Sequence, residues 1–400
     1  GFSLTGGKAN DYNLILPANL TASITPKALS IAGVTATNRT YDATTNDALG
    51  FGGAALQGVV SGDSVALDTT SATGIFASPN VGNGIAVSAS GFALTGAGSG
   101  NYTLTQPTGL SANITPAPLI VSLIGNPTKI YNGTTTADTT SANWQITGWQ
   151  GGQSATLDQV ATVNYAGPDA GSNIGVIATL EASDFRTASG TLMPNYTFTP
   201  TVNGTGTIAQ APLTIGIINN PTKVYDSTNS ATLNAGNFQI NGFLQGQGAT
   251  INQTAGTYAD PNVGQWGVTA LLTAANLIAS GGTNLSNYSI PTVATGTGQI
   301  TPAPLAGQII AGLVGASKTY DGLNTISLLP ANFSFTGLLN GDTVSTNFSS
   351  LTGIFGSKNV GTQSLTANFS NGDLSVNSAN PGNYTLPTQA FGTGVINPAV

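Results

Sequence analysis

Apolar residues along this chain fall in short runs in which β-branched side chains predominate, closed at each end by glycine, proline or asparagine. Leu119-Ile120-Val121-Ser122-Leu123-Ile124, Gly175-Val176-Ile177-Ala178-Thr179-Leu180 and Leu213-Thr214-Ile215-Gly216-Ile217-Ile218 are examples. Such runs suit a pleated, half-buried strand and carry no helical face. With turn signals roughly every 8 to 12 residues, they predict about seven strands per unit, paired antiparallel into two packed sheets. One window, Leu271 to Ile278 beside Gly281-Gly282, fits either a short helix or a strand.

The pattern recurs. A block ending in an aromatic-acid step appears as Arg39-Thr40-Tyr41-Asp42, Lys129-Ile130-Tyr131-Asn132, Lys223-Val224-Tyr225-Asp226 and Lys318-Thr319-Tyr320-Asp321, its tyrosines 90, 94 and 95 residues apart. Each tyrosine is followed 17 residues on by a Gly-x-x-x-Gly turn starting at Gly58, Gly148, Gly242 and Gly337. An aromatic then stands six residues before a glycine: Phe76 and Gly82, Tyr165 and Gly171, Tyr258 and Gly264, Phe355 and Gly361. Each unit closes on Asn-Tyr-Thr/Ser at Tyr102, Tyr196, Tyr288 and Tyr384, with an isoleucine 12 residues later. A fixed long period marks an array of like units. Tyr12 and Ile24 keep the closing spacing, so residues 1–26 read as the C-terminal part of a fifth, truncated repeat.

Proline steps place the boundaries: Ile24-Thr25-Pro26, Ile114-Thr115-Pro116-Ala117-Pro118, Pro212 after Ile208, and Ile300-Thr301-Pro302-Ala303-Pro304. The expected repeats are 27–116, 117–210, 211–302 and 303–400. Units of this size can close their own cores, which predicts beads on short, stiff linkers. The interval between the mid-unit glycine and the closing tyrosine varies most, from 20 residues (Gly82 to Tyr102) to 25 (Gly171 to Tyr196), and marks a surface loop.

Charge changes the picture by its scarcity. Charged residues make up 6% of the 400, against roughly 25% in ordinary soluble domains. With eight basic residues and a net charge of -7, no basic stripe exists to neutralise phosphate, so neither nucleic acid nor an anionic membrane surface is an expected partner. No run of about 18 apolar residues offers a membrane span. Cysteine is absent, so no disulfide braces the units and redox compartment cannot be read.

Histidine is also absent, which removes the commonest general base and, with cysteine, the commonest metal ligands. Aspartates such as Asp63 and Asp68, or Asp169 and Asp184, are not in register across the array, and Glu181 is the sole glutamate. No catalytic, cofactor or metal site is expected. The Tyr-Asp step, with Asn132 in one unit, reads as a core tyrosine beside an Asx turn, not as a ligand site. The lysines before three of the tyrosines could form isopeptide cross-links with asparagine, but Arg39 cannot do that chemistry; a partly buried stem with its head in water is the expectation. Asn101, Asn195, Asn287 and Asn383 sit in glycosylation triplets, for which a turn role is preferred. A sugar-binding platform would need exposed aromatics; Trp144, Trp149 and Trp266 are the candidates, and Trp149 aligns with Val59, Phe243 and Leu338, as a core residue would.

Lys-x-Tyr-Asp/Asn, Asn-Val-Gly (Asn80-Val81-Gly82, Asn262-Val263-Gly264, Asn359-Val360-Gly361) and Asn-Tyr-Thr/Ser followed by Ile-Thr-Pro-Ala-Pro-Leu together resemble the YDG/MBG-type repeats of large bacterial surface proteins, including filamentous-haemagglutinin-like adhesins. The departures are Arg39, Asn132 and Ala170. The resemblance implies a tandem array of Ig-like antiparallel β-sandwiches, with a β-grasp-like unit as the other option, and an extracellular or cell-surface place. Its signature residues here are Tyr41, Asp42, Tyr131, Asn132, Tyr225, Asp226, Tyr320, Asp321, Tyr102, Tyr196, Tyr288 and Tyr384.

The functional expectation is a stalk or filament segment of a bacterial adhesin that spaces and presents a binding element for attachment or biofilm. Its partners would be neighbouring repeats or identical chains, and host or community surface glycans or proteins. The alternative is a fibre subunit that polymerises by β-strand complementation through unpaired edges at Phe2 to Leu4 and Tyr12 to Ile24.

Overall fold

The computed structural model describes residues 1–158, 160, 162–309 and 316–400; residues 310–315, within the expected fourth repeat, lie outside them. The described chain is all-β, with short 3-10 turns and no α-helix. It forms two compact units, one of residues 1–128, 136–166 and 173–206, the other of residues 129–135, 167–172 and 207–400.

The third repeat shows why these residues form this sheet. Val293–Thr301 alternates buried and exposed positions, with Ala294, Gly298 and Ile300 turned to one face, and its whole length pairs antiparallel with Gly264–Leu271 from Gly264↔Ile300 to Leu271↔Val293. Its other edge receives two strands in parallel. Thr214–Ile217 joins at Gly216↔Thr295, and Thr222–Val224 joins at Thr222↔Gln299 to Val224↔Thr301. Between these two strands Asn219 and Asn220 take left-handed backbone (φ 58° and 41°), which turns the chain out of line. The closing strand therefore serves both faces of a curled sheet. The fourth repeat repeats the scheme around Gln389–Asn397, paired in parallel with Ala306–Ile309 and Ser317–Thr319.

These parallel pairs differ from the antiparallel sandwich expected. The opening strands run alongside the closing strand because the chain crosses the unit between them, not through a hairpin. Strands are also shorter and more numerous than seven per repeat. No α-helix of the kind a β-grasp packs on its sheet is present among the described residues. The ambiguous window resolves as neither option alone: Gly264–Leu271 ends, a 3-10 turn occupies Ala274–Asn276, and Leu277–Ser280 begins a new strand. Asn276 Oδ1 accepts from the Thr273 N–H at 2.9 Å and so stops the strand there.

The aromatic six residues before the glycine fills each core: Phe76, Tyr165, Tyr258 and Phe355 are buried. The Tyr165 and Tyr258 hydroxyls donate to the Pro127 and Pro221 carbonyls at 2.8 Å. Residues 1–26 hold one 3-10 turn at Ala9–Asp11 and no strand, so the unpaired edges expected at Phe2 to Leu4 and Tyr12 to Ile24 do not form. In the first repeat the corresponding strand, Leu110–Thr115, is held on both sides, by Gly82–Ser90 and Arg39–Thr40. Nothing flanks residues 12–24 in that way.

The joint between repeats as the candidate functional site

The aromatic-acid block lies at the end of its repeat because it pairs with the end of the closing strand. The Tyr41, Tyr131, Tyr225 and Tyr320 N–H groups donate to the carbonyls of Thr115, Ala209, Thr301 and Asn397, at 2.9 Å for the first and 2.8 Å for the rest. Thr115, Thr301 and Asn397 immediately precede a proline, and Ala209 lies three residues before Pro212. The block thus faces whatever follows.

Locally, the acid or amide closes an Asx turn. Oδ1 of Asp42, Asn132, Asp226 and Asp321 accepts from the N–H two residues on, at 2.8, 3.1, 2.9 and 2.9 Å. The residue between is left-handed in all four, Ala43 (φ 66°), Gly133 (76°), Ser227 (64°) and Gly322 (83°), which explains why only small residues stand there. A side-chain oxygen at that reach is all the turn requires, so Asn132 serves as well as aspartate.

The basic residues do not hold their heads in water as expected. Lys223 Nζ donates to Asp226 Oδ1, the Thr228 carbonyl and Thr228 Oγ1 at 2.6, 2.6 and 2.9 Å. Lys318 reaches Asp321 Oδ1 and the Leu323 and Thr325 carbonyls at 2.6, 2.8 and 2.8 Å. Lys129 makes the corresponding bonds to Asn132 and Thr134. Three converging acceptors match the three ammonium donors, which is why the head turns inward. Arg39 does likewise, pairing with Asp42 and the Thr44 carbonyl. Burial works to raise the Asp42 and Asp226 carboxyls, but hydrogen bonds from the base and from the threonine hold both below the ordinary range. The Lys318 hydrogen bond lowers Asp321. At Asp226 and Asp321 the partner is an ionised carboxylate, a poor electrophile, and the contact is an ion pair; Lys129 meets the neutral Asn132 amide through a hydrogen bond at 3.0 Å.

The tyrosine ring points the other way, into the next repeat. Tyr41, Tyr131 and Tyr225 are 3%, 6% and 7% exposed, whereas Tyr320, on which no further repeat packs in this structure, is 40% exposed. Their partners are the closing tyrosines of the following repeat. Tyr41 meets Tyr196 at 5.4 Å between ring centroids and 80° between planes, Tyr131 meets Tyr288 at 5.4 Å and 78°, and Tyr225 meets Tyr384 at 5.5 Å and 80°. Edge-to-face geometry of this kind contributes about 0.5–1.5 kcal/mol beyond burial. Trp149 and Phe243 pack edge-to-face against the closing tyrosines Tyr196 and Tyr288 at 4.8 Å, so Trp149 is part of this packing. Trp144 is buried and Trp266 donates to the Asn262 carbonyl at 2.7 Å, so none of the three tryptophans offers an exposed platform.

The residue after each Gly-x-x-x-Gly turn ties the phenols together. Gln153 accepts from the Tyr196 hydroxyl, and its Nε2 donates to the Tyr41 hydroxyl at 2.9 Å. Gln247 accepts from Tyr288 and donates to Tyr131 at 3.1 Å. Asp63 and Asp342 take this position in the first and fourth repeats and accept from Tyr102 at 2.6 Å and Tyr384 at 2.7 Å. The closing phenol oxygens also accept the N–H of Val60, Gln150, Leu244 and Leu339, at 3.1 Å except for 3.2 Å at Leu244. Burial, with Asp342 beside it, pushes the Tyr384 phenol up to about 12.

A second contact is an asparagine clamp. Asn195 Oδ1 accepts the Val81 N–H at 2.9 Å while its Nδ2 donates to Asn80 Oδ1 at 2.9 Å. Asn287 holds Ala170 N–H at 2.8 Å and Asp169 Oδ1 at 2.7 Å; Asn383 holds Val263 N–H and Asn262 Oδ1, both at 2.8 Å. These asparagines are 1–3% exposed, so the glycosylation triplets at 195, 287 and 383 are covered; Asn101, with no such contact, is exposed. The amide supplies one acceptor and one donor, and the opposite residue need only accept. Asp169 can therefore stand in for asparagine, and Ala170 for valine, because it is the backbone that is read.

The linkers belong to these joints too. Ala117–Pro118 pairs in parallel with Tyr196–Thr197, Ala211–Pro212 with Tyr288–Ser289, and Ala303–Pro304 with Tyr384–Thr385. Tyr41, Phe76 and Ile114 of the first repeat share one apolar core with Ala117, Leu119 and Tyr196 of the second. Independent beads were expected; the core instead continues through this joint, because the tyrosine is buried only by the next repeat.

All twelve signature residues are placed by these observations: eight tyrosines in or facing the joints, four acids or amides in the turns behind them. The hub residues Gln153, Gln247, Asp342 and Asp63, and the clamped Asn80, Asp169 and Asn262, were not singled out for this role from the sequence. Their constant offset from the glycines was the available signal. Among the described residues no group of three or more acidic, histidine or cysteine side chains could hold a metal, and no helix is long and apolar enough to cross a membrane.

Fold and joint together define a tandem-repeat protein whose recurring residues fasten one repeat to the next. The YDG domain model matches residues 25–109, 115–203, 209–296 and 301–391, and the chain belongs to this family. No curated protein matches the chain.

Proposed function

We propose that this chain is a structural stalk or filament segment of a bacterial extracellular adhesin, in which the tyrosine hub and asparagine clamp keep successive repeats at fixed spacing so that a binding element is held away from the cell. The observation that carries the reading is the threefold recurrence of one joint with the same partners at nearly the same distances. Sparse charge, no cysteine and proline at each junction suit an exposed spacer. The test is electron microscopy of native material from the producing cell, with mass analysis of the intact polypeptide and antibody labelling of unbroken cells. Long single rods of a larger polypeptide, labelled from outside, support the stalk. Labelling only after lysis would sink it.

A further inference from the structure

Strand direction in this chain follows position within the repeat. Among the described residues every parallel pairing joins the opening segment of a repeat to the closing segment of that same repeat. The strands between those segments pair antiparallel, as Gly248–Ile251 does with Leu277–Ser280. In the third repeat the parallel contact runs along both segments: Ala211–Pro212 lies along Tyr288–Ser289, Gly216 lies opposite Thr295, and Thr222–Val224 lies along Gln299–Thr301. Four bonds cross it. Leu213 N–H donates to the Ser289 carbonyl at 3.0 Å, Gln299 N–H to the Pro221 carbonyl at 2.9 Å, Tyr225 N–H to the Thr301 carbonyl at 2.8 Å, and the Thr301 hydroxyl to the Lys223 carbonyl at 3.1 Å. Tension along the chain pulls the opening segment toward its N-terminal end and the closing segment toward its C-terminal end. Because the two run parallel, these pulls slide one strand along the other, across the direction of the hydrogen bonds, and the bonds resist together. Strands whose pulled ends lay on one side would part bond by bond.

We infer that each repeat is built to bear tension along the array: its opening and closing segments form a clamp loaded in shear, and the stalk transmits pull without unfolding. This rests on the stalk reading for the direction of the pull, since only a chain held at both ends is stretched. The clamp itself lies inside each repeat. The linker is its first part, because Ala211–Pro212 and Ala303–Pro304, which lead into the third and fourth repeats, are themselves paired in parallel with those repeats' closing segments. The hydroxyl of the buried Tyr258 adds a bond from the core to the opening segment, at the Pro221 carbonyl, beside the point where Gln299 crosses.

The test is stretching of single full-length molecules by introduced cysteines, which are unique handles because the chain has none of its own. One molecule is held at Ser3→Cys and Ala399→Cys, outside every strand, and pulled end to end. Another is held within the third repeat at Thr250→Cys and Ile278→Cys, exposed residues opposite each other in an antiparallel pair, so that the force acts across strands and parts them in turn. Ser230→Cys and Thr257→Cys, exposed and opposite in another antiparallel pair, give a second handle of that kind. A wild-type urea midpoint identifies the variants that fold; forced unfolding reports the barrier, so equal midpoints with unequal forces isolate direction. End-to-end pulling is expected to give one abrupt event per repeat, each releasing about 300 Å from about 90 residues at about 3.5 Å apiece less the folded length. The force should be at least twice that needed across either antiparallel pair at the same loading rate. End-to-end unfolding at equal or lower force overturns the proposal, as does gradual extension without abrupt events. These forces belong to the purified chain, whereas the stalk reading stands or falls on labelling of unbroken cells, so the two fail separately.

Discussion

Replacing Asn287 by alanine removes both arms of one clamp while leaving the backbone bond from its own N–H to the Asn284 carbonyl in place. The Ala170 N–H, held at 2.8 Å, loses its acceptor in a partly buried position, which costs about 1–3 kcal/mol. Asp169 loses a donor at 2.7 Å but is exposed enough to recover water, adding about 1 kcal/mol. The expected destabilisation is therefore about 2–4 kcal/mol. The chain contains its own control, since Asn101 occupies the same step without a clamp, and Asn101→Ala should change stability by no more than about 0.5 kcal/mol. Urea unfolding followed by tryptophan emission suits the comparison, because Trp144, Trp149 and Trp266 all lie in the two repeats that this clamp joins. With a urea dependence of about 2 kcal/mol per molar, the midpoint should fall by about 1–2 M in the first variant and hardly at all in the second. Equal shifts would refute the reasoning, for they would mean that the asparagine acts only within its own turn.

Aspartate at the clamp separates its two arms. Asn195→Asp should cost under about 1 kcal/mol, because Asn80 can turn its amide toward the new carboxylate, whereas Asn287→Asp sets two carboxylates together at Asp169 and should cost more than about 2 kcal/mol, both read by urea midpoint. Spectrophotometric titration should find the Tyr384 phenol ionising near 12. Its folded value lies above the unfolded one, so its contribution is complete below pH 10 and disappears as pH rises toward 12; Asp342→Asn should bring the value part of the way back, burial remaining. Gly298→Ala would put a methyl 2.6 Å from the Pro221 carbonyl and 2.8 Å from the Tyr258 ring, and thermal scanning should show a loss of about 1–3 kcal/mol.

Much of the repeat was legible in the sequence, since the periodic apolar runs do form strands and the family pattern does cover four repeats. The Asx turns were legible because Asp or Asn before a small residue is a local signal. Parallel pairing was not: nothing in the residues of Thr222–Val224 or Gly264–Leu271 sets a strand direction, yet they flank Val293–Thr301 in opposite directions. Only the path of the chain across the unit decides that. The tyrosine was read as a core residue of its own repeat, and its burial was right in kind but wrong in source. A ring bound for a neighbour's core has the same sequence signal as one bound for its own, and only Tyr320, left uncovered, tells them apart.

The uneven loop lengths bear on what the recurring residues are for. Between the mid-unit glycine and the closing tyrosine the interval runs to 25 residues in the second repeat, 24 in the third and 23 in the fourth. Asn195, Asn287 and Asn383 nonetheless reach the preceding repeat's N–H at 2.9, 2.8 and 2.8 Å. Were these residues only closing local turns, each turn could drift with its loop and the contact across the joint would not be reproduced. Length varies where nothing is fastened, and the side chains that fasten stay in register, with Asp exchanged for Asn, or Asp for Gln, only where the replacement still accepts the required hydrogen bond. The motif by which the family is recognised is therefore best understood as the two halves of a junction, divided between consecutive repeats, neither of which has its full meaning in one repeat alone.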